Sequence, residues 1–106
     1  MTKRLKRQRK HTVLKVVFSK TATDNLISQA LYIFEQTSSI ELSDKYLDDM
    51  KEYIVTMLSS FPKAGRPSEE LAPTTRKLVY QGYSIVYRIG QEHIEILTLY
   101  RENLPQ

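Results

Sequence analysis

The feature that most limits the fold is a break at residues 62–73, where three of the four prolines and one of the three glycines fall. Pro62 cannot continue a helix, because its ring removes an N–H donor and crowds the preceding turn. Before this break the apolar residues recur every three to four positions; after it they alternate with polar ones. A chain patterned in that order packs a helical block against a block of strands, so the architecture expected is α+β.

The helical block is preceded by VLKVVF, Val13 to Phe18, a short β-branched run that reads as a strand. Lys15 inside it marks either an exposed face or a sheet edge. In the following SKTATDNLISQALYIFEQ, Ala22, Leu26, Ala30 and Phe34 recur at i+4 and are joined by Ile27, Leu31 and Ile33. That spacing predicts an amphipathic helix of about four to five turns. Thr21 with Asp24 forms a capping box, and Ser19 is the alternative cap. Thr37-Ser38-Ser39 interrupts the pattern, and Ser38 with Glu41 forms a second box. A second helix then presents Leu42, Tyr46, Met50, Tyr53, Ile54, Met57, Leu58 and Phe61 on one face. Two such helices on a short link predict an antiparallel hairpin, and its Tyr and Met stripe reads as core.

Beyond the break, RKLVY, YSIVYRI and EHIEILTLY are three strands joined by tight turns at Gln81-Gly82 and Gly90-Gln91. Tyr83, Ile85, Tyr87 and Ile89 alternate with Ser84, Val86 and Arg88, the pattern of a half-exposed central strand. The order is therefore β-α-α-β-β-β, with an N-terminal helical hairpin packed on one face of a small antiparallel sheet.

With 106 residues, the chain has room for one domain, expected over 12–106. Residues 1–11 are a separate matter. The formal charge is +4, but Lys3, Arg4, Lys6, Arg7, Arg9 and Lys10 carry six of the 16 basic residues, and the rest of the chain holds 10 basic against 12 acidic. Such a segment cannot bury enough apolar surface to order itself, and its charge suits contact with nucleic-acid phosphates. There is no cysteine, which removes disulfide scaffolds and thiolate metal sites and agrees with a cytoplasmic protein. No apolar run approaches the ~18 residues of a membrane span, and no apolar segment follows the basic run as a secretory signal requires.

Most catalytic patterns are missing. His11 lies in the basic segment and His93 in a strand, so no histidine pair has metal-ligand spacing. The sequence holds neither a G-x-S-x-G elbow nor a phosphate-cradling glycine loop. No metal or cofactor is expected. Glu41, Asp44, Asp48, Asp49 and Glu52 form an acidic stretch on the second helix, read as a solvated face or a dock for a basic partner. The suggestive group is Lys63, Arg66, Arg76, Lys77, Arg88 and Arg101, at the loop and the strand ends. If they converge, their guanidinium groups suit an anionic partner through bidentate pairing.

Taken in order, VVFSKTATDNL, F-P-x-x-G-R-P, R-K-L-V-Y, G-Y-S-I-V-Y-R-I and I-E-I-L-T-L-Y-R resemble the RelE/ParE superfamily of toxins from bacterial toxin–antitoxin pairs, over about Leu14 to Pro105. The resemblance implies a helical hairpin on a four-stranded sheet and a cognate antitoxin. RelE-like members cleave mRNA on the ribosome with clustered basic residues; ParE-like members block DNA gyrase and so replication. Ser84 stands where the RelE-like branch often has a basic residue, leaving Lys77, Arg76 and Arg101 as its catalytic counterparts. The ParE-like pattern matches better, although Tyr100-Arg101 stands where many members have His-Gly-Arg. That branch implies a binding protein whose target contacts are Arg66, Arg76, Tyr87, Arg88, Tyr100 and Arg101; gyrase is the expected target, and the ribosome with mRNA the alternative.

Overall fold

The computed structural model describes residues 14–70 and 72–102. The basic segment from Lys3 to Lys10, and Val13 of the first expected strand, lie outside the described residues. β1 (Lys15–Phe18) leads into α1 (Lys20–Thr37) and α2 (Ile40–Ser60); β2 (Arg66–Pro67), β3 (Thr75–Tyr80), β4 (Tyr83–Ile89) and β5 (His93–Arg101) follow. The sheet order is β1-β5-β4-β3-β2. The α+β architecture and the order of its main elements are those expected from the sequence. Two details differ: β1 pairs in parallel with β5, which makes the sheet mixed, and the two-residue β2 adds a fifth strand at the far edge. A parallel pairing needs a long crossover, and here the helical hairpin and the rest of the sheet supply it.

Both helix starts shift by a residue or two from the expected boxes. Ser19, the alternative cap, rather than Thr21 starts α1: its Oγ accepts from the Ala22 N–H and donates to the Leu97 carbonyl. Its own N–H donates to the Ile96 carbonyl, so tertiary contacts fix the cap. Ser38 is the left-handed C-cap of α1 (φ 58°), which leaves Ser39 to cap α2 by accepting from the Leu42 N–H. The capping serines supply acceptors for N–H groups that a helix start leaves unpaired. The hairpin is pinned inside by Ser43, whose buried Oγ donates to the Ala30 carbonyl at 2.7 Å.

One core lies between the helices and the sheet. Ala22 and Leu26 of α1 and Met50, Ile54 and Leu58 of α2 meet Leu78, Tyr83, Ile85, Tyr87, Ile94, Ile96 and Leu99. Tyr53 stacks on Tyr80 at 3.9 Å between ring centres, and Tyr46 tilts against Tyr83 at 6.0 Å. Burial at Tyr46 pushes its hydroxyl pKa up, with the Tyr83 hydroxyl the next cause. The apolar stripes are wider than the core they serve. Ile27, Leu31 and Phe34 of α1 are exposed, as are Leu42 and Phe61, the two ends of the expected face of α2. Among the described residues, no helix is long and apolar enough to cross a membrane.

A bulge at Val86/Tyr87 governs the centre of the sheet: Val86 faces Thr98, but Tyr87 faces Ile96, so Leu97 is the extra residue. β1 covers only His93–Ile96, leaving the second half of β5 without a neighbouring strand on that side. Side chains pair its main-chain groups instead. Ser19 donates to the Leu97 carbonyl, and Asn25 Oδ1 accepts from the Leu99 N–H at 3.1 Å and from the Thr98 hydroxyl at 2.8 Å. Buried main-chain groups require such partners. β4 departs from the half-exposed reading. Its core side carries Tyr83, Ile85 and Tyr87, but Ser84 and Val86 on the other side are buried too, and only Arg88 is exposed.

Candidate functional site

The expected site residues divide among three places. The β3–β4 register sets Thr75 opposite Arg88 and Arg76 opposite Tyr87. Arg76 and Arg88 thus sit at one end of the sheet, as expected, but on opposite faces. Arg101 corrects the expectation of a single cluster. It pairs with Tyr83, at the start of β4, and therefore lies at the other end of the sheet. In a meander the end of β5 returns to the start of β4, so Arg101 and Arg88 are separated by the length of that strand.

On the helix-facing side, Arg76 and Tyr87 hold the loop that follows α2. The Tyr87 hydroxyl donates to the Pro62 carbonyl at 2.6 Å and accepts from the Gly65 N–H at 2.9 Å. Arg76 Nε donates to the Gly65 carbonyl at 2.8 Å, and its outer nitrogen to that of Lys63 at 3.4 Å. Burial raises the Tyr87 pKa, with the Gly65 N–H and Arg76 acting against it. Gly65 is needed for space: a Cβ there would stand 2.7 Å from the Lys77 main-chain oxygen and 2.9 Å from the Tyr87 ring. Tyr87 is fully buried, so as placed it shapes the loop rather than presenting a surface.

The second place is a polar groove of about 410 Å³ between α1 and β5, lined by Asn25, Ser28, Gln29, Tyr32, Leu99, Tyr100 and Arg101. The Arg101 guanidinium stands over the rings of Tyr32, at 5.4 Å, and Tyr83, at 6.0 Å. Cation–π contact of this kind orients the guanidinium without neutralising it. Tyr32 and Gln29 were not among the expected site residues. The sequence does carry their signal, since Asn25, Ser28, Gln29 and Tyr32 follow each other at helical spacing beside the apolar stripe.

The third place is the sheet face turned away from the helices. Arg66 lies directly opposite Lys77 across the β2–β3 pair, and both share this face with Ser84, Arg88 and Tyr100. Glu102, also missed in the sequence, closes over the centre. Its Oε2 accepts from Lys77 Nζ at 3.0 Å and from the Ser84 hydroxyl, while its N–H donates to the Gly82 carbonyl. The Ser84 hydroxyl, and then Lys77, hold the Glu102 carboxyl below its ordinary value. Arg88 pairs with Glu95 at 3.2 Å in an exposed ion pair. His93 is exposed at the start of β5, and the acidic residues of α2 point outward, with Asp49 paired to Lys45 at 2.9 Å. Among the described residues, no group of three His, Asp or Glu side chains could hold a metal ion.

Residues 16–102 match the family model described as the ParE toxin of the type II toxin–antitoxin system parDE. The chain belongs to that family. Among solved structures it is similar to the chromosomal ParDE toxin–antitoxin system from P. aeruginosa, at 20% identity and a TM-score of 0.71, over 88% of this chain and 99% of that one. It is also similar to the RelBE2 toxin–antitoxin complex from Mycobacterium tuberculosis, at 23% identity and a TM-score of 0.62, over 86% and 93%. A search of curated proteins finds no match.

Proposed function

We propose that this ParE-family chain is a growth-arresting toxin that works by binding, blocks DNA gyrase, and is held silent by a cognate antitoxin. The observation that carries the reading is the state of the three cations on which an RNA-cleaving site would draw. Lys77 is paired with Glu102, Arg76 is bound to main-chain carbonyls, and Arg101 lies at the opposite end of the sheet from Arg76. Phosphodiester cleavage needs a general acid, a general base and charge stabilisation converging on one phosphate. This arrangement favours recognition instead. Arg66 and Arg88 on the open face, with Tyr100 and Arg101 at the α1–β5 groove, supply the Arg and aromatic anchors typical of interface hot spots.

The antitoxin reading is supported by the solved relatives, which are toxin–antitoxin systems, and by the exposed Ile27, Leu31 and Phe34 on α1. Their spacing of four and three is one helical stripe, and an exposed apolar stripe suits an apolar partner segment. The second reading, an mRNA endonuclease acting on the ribosome, draws on the likeness to RelBE2 and on Arg66 standing opposite Lys77.

The test is supercoiling of relaxed plasmid by purified gyrase and ATP, with and without the protein. Dose-dependent loss of supercoiling, weakened by Arg101→Ala, is the expected result. Unchanged supercoiling at stoichiometric folded protein, together with cut mRNA in a translation mixture, would overturn the proposal in favour of the nuclease.

A further inference from the structure

The Lys77–Glu102 pair is unusual among the ion pairs of the described residues in being mostly enclosed. The Lys77 and Glu102 side chains are 13% and 24% exposed, and Ser84 beneath them is fully buried. The other three pairs lie at the surface. Three strands contribute donors to this spot: Arg66 from β2, Lys77 from β3 and Ser84 from β4. Glu102 uses two of them. Arg66 makes no side-chain hydrogen bond among the described residues, although its charge contributes to holding the Glu102 carboxyl ionised.

A spot with two cations, one buried hydroxyl and one carboxylate is an oxyanion site with its own chain as occupant. Planar guanidinium and ammonium donors around a carboxylate are the usual means of recognising an acidic side chain. We propose that Arg66, Lys77 and Ser84 form a carboxylate-binding site on the open face of the sheet, filled in the isolated chain by Glu102 and taken over by an Asp or Glu side chain of a protein partner. The incoming carboxylate takes the Ser84 and Lys77 bonds and adds the Arg66 fork that Glu102 leaves open. The exchange needs no movement of the sheet. The Glu102 N–H stays on the Gly82 carbonyl while its side chain turns about its own bonds. Glu102 thereby sets an affinity threshold, since a weak or single anion must displace a carboxylate that is always at hand. The site goes beyond the gyrase reading, because it commits only to an acidic side chain on a protein partner.

The occupant observed is a carboxylate, and the partner's group is assigned the same chemistry. The test uses Glu102→Ala in the full chain, with N-acetyl-glutamate amide as a lone acidic side chain and N-acetyl-glutamine amide as its neutral isostere. Thermal unfolding at matched ionic strength reads the binding. At about five times its dissociation constant the acidic probe raises the Tm of the variant by roughly 4–8 °C. The neutral probe has no effect, the wild type responds far less, and Glu102→Ala with Lys77→Met does not respond. The absence of any rise in Glu102→Ala would overturn the proposal, as would an equal rise in wild type and variant or a rise that survives Lys77→Met, which would place binding elsewhere. So would inorganic phosphate stabilising Glu102→Ala more than the acidic probe does, which would assign the site to a phosphate backbone. Glu102→Gln keeps the shape of the occupant and carries the same comparison if the alanine variant does not fold.

Discussion

Removing a single oxygen from Tyr87 is expected to release the loop that joins the helices to the sheet. In Tyr87→Phe the ring stays in the core, but the Pro62 carbonyl loses its donor and the Gly65 N–H its acceptor. Gly65 is buried, so water cannot readily replace the lost partner. Two hydrogen bonds at about 1 kcal/mol each, with a further ~1 kcal/mol for leaving a buried N–H unpaired, give a loss of about 2–3 kcal/mol. In urea unfolding the midpoint should fall by roughly 1–2 M with the slope unchanged. Tyr83→Phe is the control. Its hydroxyl donates to one partly buried partner, Gln29 Oε1 at 2.8 Å, so its loss should stay near 1 kcal/mol. A Tyr87→Phe loss below about 0.5 kcal/mol, or one no larger than that of Tyr83→Phe, would refute the reasoning that this hydroxyl holds the loop.

Two further outcomes are expected. Asn25→Ala removes the acceptor shared by the Leu99 N–H and the Thr98 hydroxyl and should cost about 1–3 kcal/mol, while Asn25→Asp, which keeps the accepting oxygen, should cost clearly less in the same unfolding experiment. Glu102 has a folded-state pKa below its ordinary 4.5, so its contribution is fully present above 4.5 and is lost as pH falls through the lower folded value. The stability gap between wild type and Glu102→Gln should therefore narrow as the solution is acidified below pH 4.5, and a gap independent of pH would contradict the pairing.

What the sequence could and could not disclose follows from the range of each interaction. The helices were legible because i+4 spacing is local, as Ala22, Leu26 and Ala30 demonstrate. The choice between Thr21 and Ser19 as the cap of α1 was not legible, because tertiary contacts decide it. The Thr21–Asp24 box is a good motif, yet Ser19 is the residue that β5 holds in place. The parallel β1–β5 pairing joins residues 78 apart, as in Lys15 to His93, and no local pattern encodes it. Arg101 is a different case. Its separation from Arg76 and Arg88 follows from counting strand directions in a meander, which the sequence alone allows. Glu102 was hidden, because its role depends on a register that sets it against Lys77, 25 positions earlier. The exposed Ile27, Leu31 and Phe34 show the converse limit: apolar periodicity tells which residues share a helix face, not whether that face is covered.

The place of β5 in the sheet has a consequence for how the molecule comes into being. β5, synthesised after the other described strands, lies between β1 and β4, so it joins the first strand to all the others. Until it arrives, β1 has no strand partner and the core lacks Ile94, Ile96 and Leu99. Ser19 lacks the carbonyls of Ile96 and Leu97 that fix the start of α1. Closing a contact across nearly the whole chain is slow compared with forming a hairpin. The nascent protein can therefore hold its helical hairpin early, but not the groove containing Arg101 or the closed Lys77–Glu102 pair. The polar faces of the sheet thus wait for β5, whereas the exposed apolar stripe of α1 is in place before it.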